Sequence, residues 1–159
     1  MYHQELYDQM LSGAHHGFRR PFDVARASDF TNPSIAPVMR MAMRLEDVFA
    51  QEEPVILKKQ RIVFLRTVTD VPSIFSEEEW ADITNTHFVH ELGYVSNLCA
   101  DYGSTIACGL DVRRAEAVKR FEQCCKESDT EGEMFLEAVI RTIDAVFSLC
   151  DRYRTEAVE

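Results

Sequence analysis

The chain has 159 residues, within the ~100–200 expected of one domain, and is long enough to bury a core without a disulfide or metal staple. Apolar residues make up 46% and charged residues 28%, a balance that excludes disorder and low complexity. Seventeen Lys plus Arg against 27 Asp plus Glu give a net charge of −10, a field that repels phosphates and anionic lipid heads; nucleic acid and membrane surfaces are therefore not expected partners.

The longest stretch free of Asp, Glu, Lys and Arg runs from Phe30 to Met39, half of the ~20 residues a spanning helix needs. The first ten residues carry Glu5 and Asp8 and no basic n-region, so they do not read as a signal peptide. Five cysteines, an odd number, point to reduced thiols and a cytoplasmic location.

Taken in chain order, Tyr2–Ser12 predicts a short helix with Leu6 and Met10 on one face and Gly13 as its left-handed stop. Residues Ala14 to Pro33 show no period and read as an irregular segment, holding a small basic island of His15, His16, Arg19 and Arg20. From there Ser34 is the expected N-cap of a helix with Pro37 in its first turn and an apolar stripe of Val38, Met41, Ala42, Leu45, Val48 and Phe49, ended by Glu52–Pro54. Val55–Leu57 and Ile62–Leu65 predict a short β element near 55–65, as a small hairpin or an extended crossing. Ser76 followed by Glu79 is a capping box for a helix from Glu77 to about Thr86.

Two longer helices are predicted to close the chain. One opens near Tyr102–Thr105 with Asp101 or Ser104 as cap and carries Ile106, Leu110, Ala117, Phe121 and Cys124 or Cys125 at helical spacing. The other, from about Glu133 to Ala157, aligns Phe135, Ala138, Val139, Ile143, Val146, Cys150 and Tyr153. Joined through 127–132, they form an antiparallel αα-hairpin. The expected fold is thus mainly α: a single helical domain over 1–159 of about five helices, irregular over 1–33.

No P-loop, GxGxxG, GxSxG or CxxC pair occurs, so nucleotide cradling, serine acyl transfer and a cysteine zinc knuckle lack a motif. The pattern closest to a metal site is His87-Phe-Val-His90-Glu91, whose offsets put two imidazoles and a carboxylate on one face of a helix, without the HExxH order. Among the thiols, Cys108, Cys124, Cys125 and Cys150 fall on or beside apolar stripes and read as small hydrophobes. Cys99, before a helix and beside Asn97 and Asp101, is the one whose setting resembles a nucleophile's.

The run Asn97-Leu-Cys-Ala-Asp101-Tyr102-Gly103-Ser-Thr-Ile106-Ala-Cys-Gly109-Leu110-Asp111, then Phe135-Leu-Glu-Ala-Val-Ile140 and Arg152-Tyr153, resembles the N-terminal third of pyruvate formate-lyase-like glycyl radical enzymes. Upstream, Glu53-Pro54-Val-Ile-Leu57 and Arg61-Ile-Val-Phe64 are similar to the family's Glu-Pro-apolar segment and a short strand, so the likeness is collinear over residues 35 to 157. The spacer between the Glu-Pro segment and Asp101-Tyr102 is short for the family. The radical glycine's Arg-Val-x-Gly-Tyr loop and the thiyl cysteine's Gly-Cys-x-Glu loop are both absent from this chain, and Cys125-Lys126-Glu127 imitates only half of the latter.

The resemblance implies the N-terminal helical layer of an anaerobic radical lyase, dehydratase or decarboxylase acting on a small polar metabolite, or of an acyltransferase. Such a layer packs on a barrel that supplies the reactive centres and is inactive alone. It further implies a homo-oligomer and a glycyl radical installed by a radical-SAM activating enzyme, with no cofactor held by this chain. The residues facing substrate would be Asn97, Asp101, Cys99 and His90. In the diol-dehydratase-like branch a His stands where this chain has Asn97, and an amide orients a hydroxyl or carboxylate but relays no proton near neutral pH. The reading of a different class is a free-standing helical protein-interaction module; a weaker one is a metal-dependent enzyme using His87, His90 and Glu91. A bare apolar face would mark a layer that lacks its body.

Overall fold

The structure, a computed structural model, describes residues 4–58, 60, 61, 63, 65–86 and 101–158. It is mainly helical: α1 (Gln4–Leu11), α2 (Pro37–Gln51), α3 (Glu77–Asn85), α4 (Tyr102–Glu127) and α5 (Thr130–Val158). No helix among the described residues is long and apolar enough to cross a membrane. Gly13 closes α1 at φ 70°, as its permissive backbone predicts. The expected short β element is present as two parallel two-residue strands, β1 (Arg20–Pro21) and β2 (Val68–Thr69). These strands lie outside 55–65. The pairing is set by Arg20 N–H to the Thr67 carbonyl at 2.7 Å and Phe22 N–H to the Thr69 carbonyl at 2.8 Å.

The segment without periodicity is built into the core. Phe22 and Phe30 are buried with Val48, Val68 and Ile74, their rings meeting edge to face at 6.0 Å. Burying each such side chain contributes roughly 1.5–3 kcal/mol, so two isolated aromatics suffice to anchor a segment with no stripe of its own. Its backbone is carried by 3-10 turns at Ala14–Phe18 and Val24–Arg26, the second capped by the Asp23 carboxylate.

Ser34 does not cap α2. Its N–H is held by Asn32 Oδ1, and the helix begins after Ala36 with Pro37 in the first turn. Of the expected stripe, Ala42 and Val48 are buried, Val38, Leu45 and Phe49 half-buried and Met41 exposed, while the polar Arg40 and Gln51 are buried beside it. Arg40 takes an inward position because three of its bonds are answered, by the Ile74 carbonyl at 2.5 Å and by both Glu79 oxygens at 2.6 and 3.0 Å. Its guanidinium also lies 5.4 Å from the Phe75 ring centroid. Glu79 in turn closes the capping box of α3: Ser76 Oγ accepts from the Glu79 N–H, and Glu79 Oε2 accepts from the Ser76 N–H.

Helix α5 packs on both α2 and α4. Between α2 and α5, Ala42, Ala138 and Ile143 line one groove, and the Arg141 guanidinium grips both Glu46 oxygens at 2.8 and 2.6 Å. Near its end Arg152 donates to the carbonyls of Phe49, Ala50 and Glu52, satisfying the orphan acceptors at the C-terminus of α2. The buried Tyr153 hydroxyl accepts from the Leu65 N–H at 3.1 Å. Arg114 on α4 bonds both oxygens of Asp144 on α5, and Cys125 neighbours Glu133; both pairs are symmetric about residue 129, which places the two helices antiparallel.

Candidate functional site

The front of α4 holds the one predicted site residue that the structure describes. Asp101 is its N-cap: a side-chain oxygen accepts from the Ser104 N–H at 3.0 Å, and its carbonyl accepts from Thr105. The residue is exposed, and one carboxylate oxygen is engaged in the cap. Asn97, Cys99, His90, His87 and Glu91 lie outside the described residues. Among the described residues no group of three or more His, Cys, Asp or Glu is arranged to hold a metal ion.

The stripe expected along α4 is broken. Gly109 sits at φ 75° and ψ 168°, a backbone conformation essentially reserved for glycine, and bends the helix about two turns from its start. The bend carries the arm Tyr102–Cys108 out of register with the rest, so Tyr102 is 71% and Ile106 83% exposed. Ala117 alone is buried among the residues of α4. Arg113 spans the bend, donating to Ser104 Oγ on the arm and to Glu116 at 2.8 Å on the body of the helix.

Four of the thiols, Cys108, Cys124, Cys125 and Cys150, are among the described residues. Cys108, Cys125 and Cys150 are exposed and Cys124 half-buried, contrary to the expectation of small buried hydrophobes. The α5 register explains Cys150: Leu149 and Tyr153 take the inward positions. Desolvation, then Asp129, push the Cys124 thiol up from its ordinary value, and desolvation followed by Glu133 does the same for Cys125, so both stay protonated at neutral pH. Cys124 Sγ, Asp129 and Gly132 form the hairpin turn, in which the Gly132 N–H donates to Asp129 Oδ1 at 3.0 Å and a Cβ at Gly132 would lie 2.8 Å from the sulfur.

The basic island is used for building. Arg20 bonds Glu53 at 3.1 Å and the Gln51 carbonyl at 2.5 Å, tying β1 to the end of α2. Proximity to Arg19, then desolvation and His15, lower the pKa of His16. No anion cradle is assembled from the four.

Sequence reasoning missed the open groove between α4 and α5, of about 740 Å³, lined by Arg113, Lys119 and Arg120 from α4 and by Phe135 and Leu136 from α5. Phe135, expected inside, is 55% exposed there. The legible signal was the Arg113-Arg114 and Lys119-Arg120 pairs, a local excess of cations in an acidic chain. A second, apolar groove of about 240 Å³ lies between α2 and α5, lined by Val38, Met41 and Val139 among others.

Compared with known proteins, the chain matches no protein-family model, no curated protein and no solved structure.

Proposed function

We propose that this chain is the N-terminal helical layer of a pyruvate formate-lyase-like glycyl radical enzyme, a layer that seats on a larger body and performs no chemistry by itself. The observation that carries the reading is the state of α4. A 26-residue helix with Ala117 as its one buried residue, and with Tyr102 and Ile106 standing bare on the arm before Gly109, is a helix short of a partner surface. The collinear motifs over 35–157 suggest what that surface is: the barrel that owns the radical glycine and the thiyl cysteine. In the complete protein, the segment ending at Asp101 would lie toward the substrate, with Asn97 orienting a polar group and Asp101 fixing the start of α4.

The complete protein then cleaves a C–C, C–O or C–N bond of a small polar metabolite under anaerobic conditions, after a radical-SAM partner installs the radical. Reading the genomic DNA downstream of codon 159 tests this. The expected result is an open frame encoding Gly-Cys-x-Glu and, further on, Arg-Val-x-Gly-Tyr. A stop codon with no such reading frame beside it overturns the proposal and leaves a free-standing helical module that binds another protein.

A further inference from the structure

We propose that the groove between α4 and α5 is a docking site for a short acidic protein segment bearing an apolar anchor, its carboxylates set against Lys119 and Arg120 and its anchor against Phe135 and Leu136. The inference goes beyond the reading above: Tyr102 and Ile106 lie on the arm before Gly109, whereas the groove lies on the body of α4 past the bend.

Charge complementarity selects the occupant. The chain as a whole carries −10, yet the lining of this groove gathers Arg113, Lys119 and Arg120 against the single carboxylate of Glu116. Glu116 is itself engaged, bonded to Arg113 at 2.8 Å. Lys119 and Arg120 form no ion pair with any described residue, although acidic side chains abound on the neighbouring turns. An unneutralised cation pair in one groove with an exposed phenylalanine is complementary to a carboxylate one helical turn from an aliphatic or aromatic side chain.

The field of the whole molecule then narrows the partner. At −10 the surface opposes polyphosphates and anionic membranes, which present negative charge over distances much longer than the groove. A short segment places its carboxylates only where the local potential is positive. The apolar lining adds the desolvated contact that exposed ion pairs lack, because solvent-accessible pairs contribute little on their own and an aromatic anchor is what fixes such a complex.

The test uses the full chain and a fluorescein-labelled peptide of about 15 residues, near the minimum for helix formation, with Leu and Phe at helical spacing and Glu elsewhere. A twin peptide carries Gln in place of every Glu, which removes the carboxylates without adding cations that the acidic surface would attract. Fluorescence anisotropy is expected to show binding of the Glu peptide only. The double variant Lys119→Glu/Arg120→Glu should weaken it by about tenfold or more, and Phe135→Ser by a smaller factor. Lys126→Glu, on the same helix outside the groove, should leave it unchanged, and melting curves of the variants verify that each is folded. Equal binding of the Gln twin, an affinity indifferent to the double charge reversal, or no binding of the Glu peptide overturns the proposal. None of these outcomes bears on the downstream reading frame, so the two proposals fail separately.

Discussion

The Glu52 carboxylate and Thr67 are joined twice: Oε2 accepts from both the N–H and the hydroxyl of Thr67, each at 2.6 Å, with the Val68 N–H adding a third bond at 3.2 Å. Glu52 is 1% and Thr67 0% exposed. The pair ties the C-cap of α2 to the residue just before β2, and so places the sheet against the helix.

Glu52→Ala leaves three buried donors without an acceptor. It is expected to cost about 2–5 kcal/mol, because the penalty is the desolvation of the orphaned groups and not the modest net worth of each bond. Glu52→Gln keeps an acceptor oxygen and should cost about half as much. Urea unfolding of both variants, with the slope unchanged, measures the difference; equal losses would mean that the charge and not the acceptor matters.

Glu79 carries the pH dependence. The Arg40 side-chain bonds, followed by the Ser76 N–H, hold its carboxyl down at about 2, well under the ordinary glutamate range. A carboxyl depressed on folding stabilises the protein fully above its unfolded value, and this contribution is lost as the pH falls from there through the folded value. Melting temperature is therefore expected to decline between about pH 5 and pH 2, and Glu79→Gln should lower it at neutral pH while flattening that acid limb. Asp144, lowered chiefly by its bond to Arg114, acts in the same direction. An acid limb as steep in Glu79→Gln as in the parent would exclude Glu79 as its source.

Gly109 is the bend in α4, and no L side chain takes φ 75°, ψ 168° without strain. Gly109→Ala is expected to disfavour the bent form by about 1–3 kcal/mol and to straighten α4, raising helical ellipticity. The distance between spin labels at Thr105 and Glu116 would then shift. Arg113→Ala, which removes the contact to Ser104 across the bend, should broaden the same distance distribution without moving its mean as far. Unchanged distances in Gly109→Ala would show that something other than this residue imposes the bend.

The parts of the fold legible from the chain were those in which one residue decides one local conformation. Ser76 and Glu79 announced the start of α3, Asp101 or Ser104 that of α4, Gly13 the stop of α1, and the long periods the hairpin. The candidate site was far less legible. Of the residues singled out, only Asp101 falls where the structure describes it, and it serves as a cap. Phe22 and Phe30 carried no signal because two aromatics in an aperiodic segment become a core only when α2 and β2 arrive beside them. Arg40 is the opposite case: a helical wheel sets it in line with Arg44, Val48 and Gln51, but a guanidinium is accepted inside only where Glu79 and the Ile74 carbonyl answer it.

The amino-acid order by itself determined that this is a mainly helical chain with caps and turns at given places, since propensity, capping and periodicity act over a few neighbouring residues. Which faces those helices bury was decided only in three dimensions. Ile106 and Phe135 belong to perfectly good stripes, yet the Gly109 bend and the packing of α5 on α2 leave both in water. Burial depends on contacts made by residues far apart in the chain, and no local rule reports whether the surface that would cover a stripe is present.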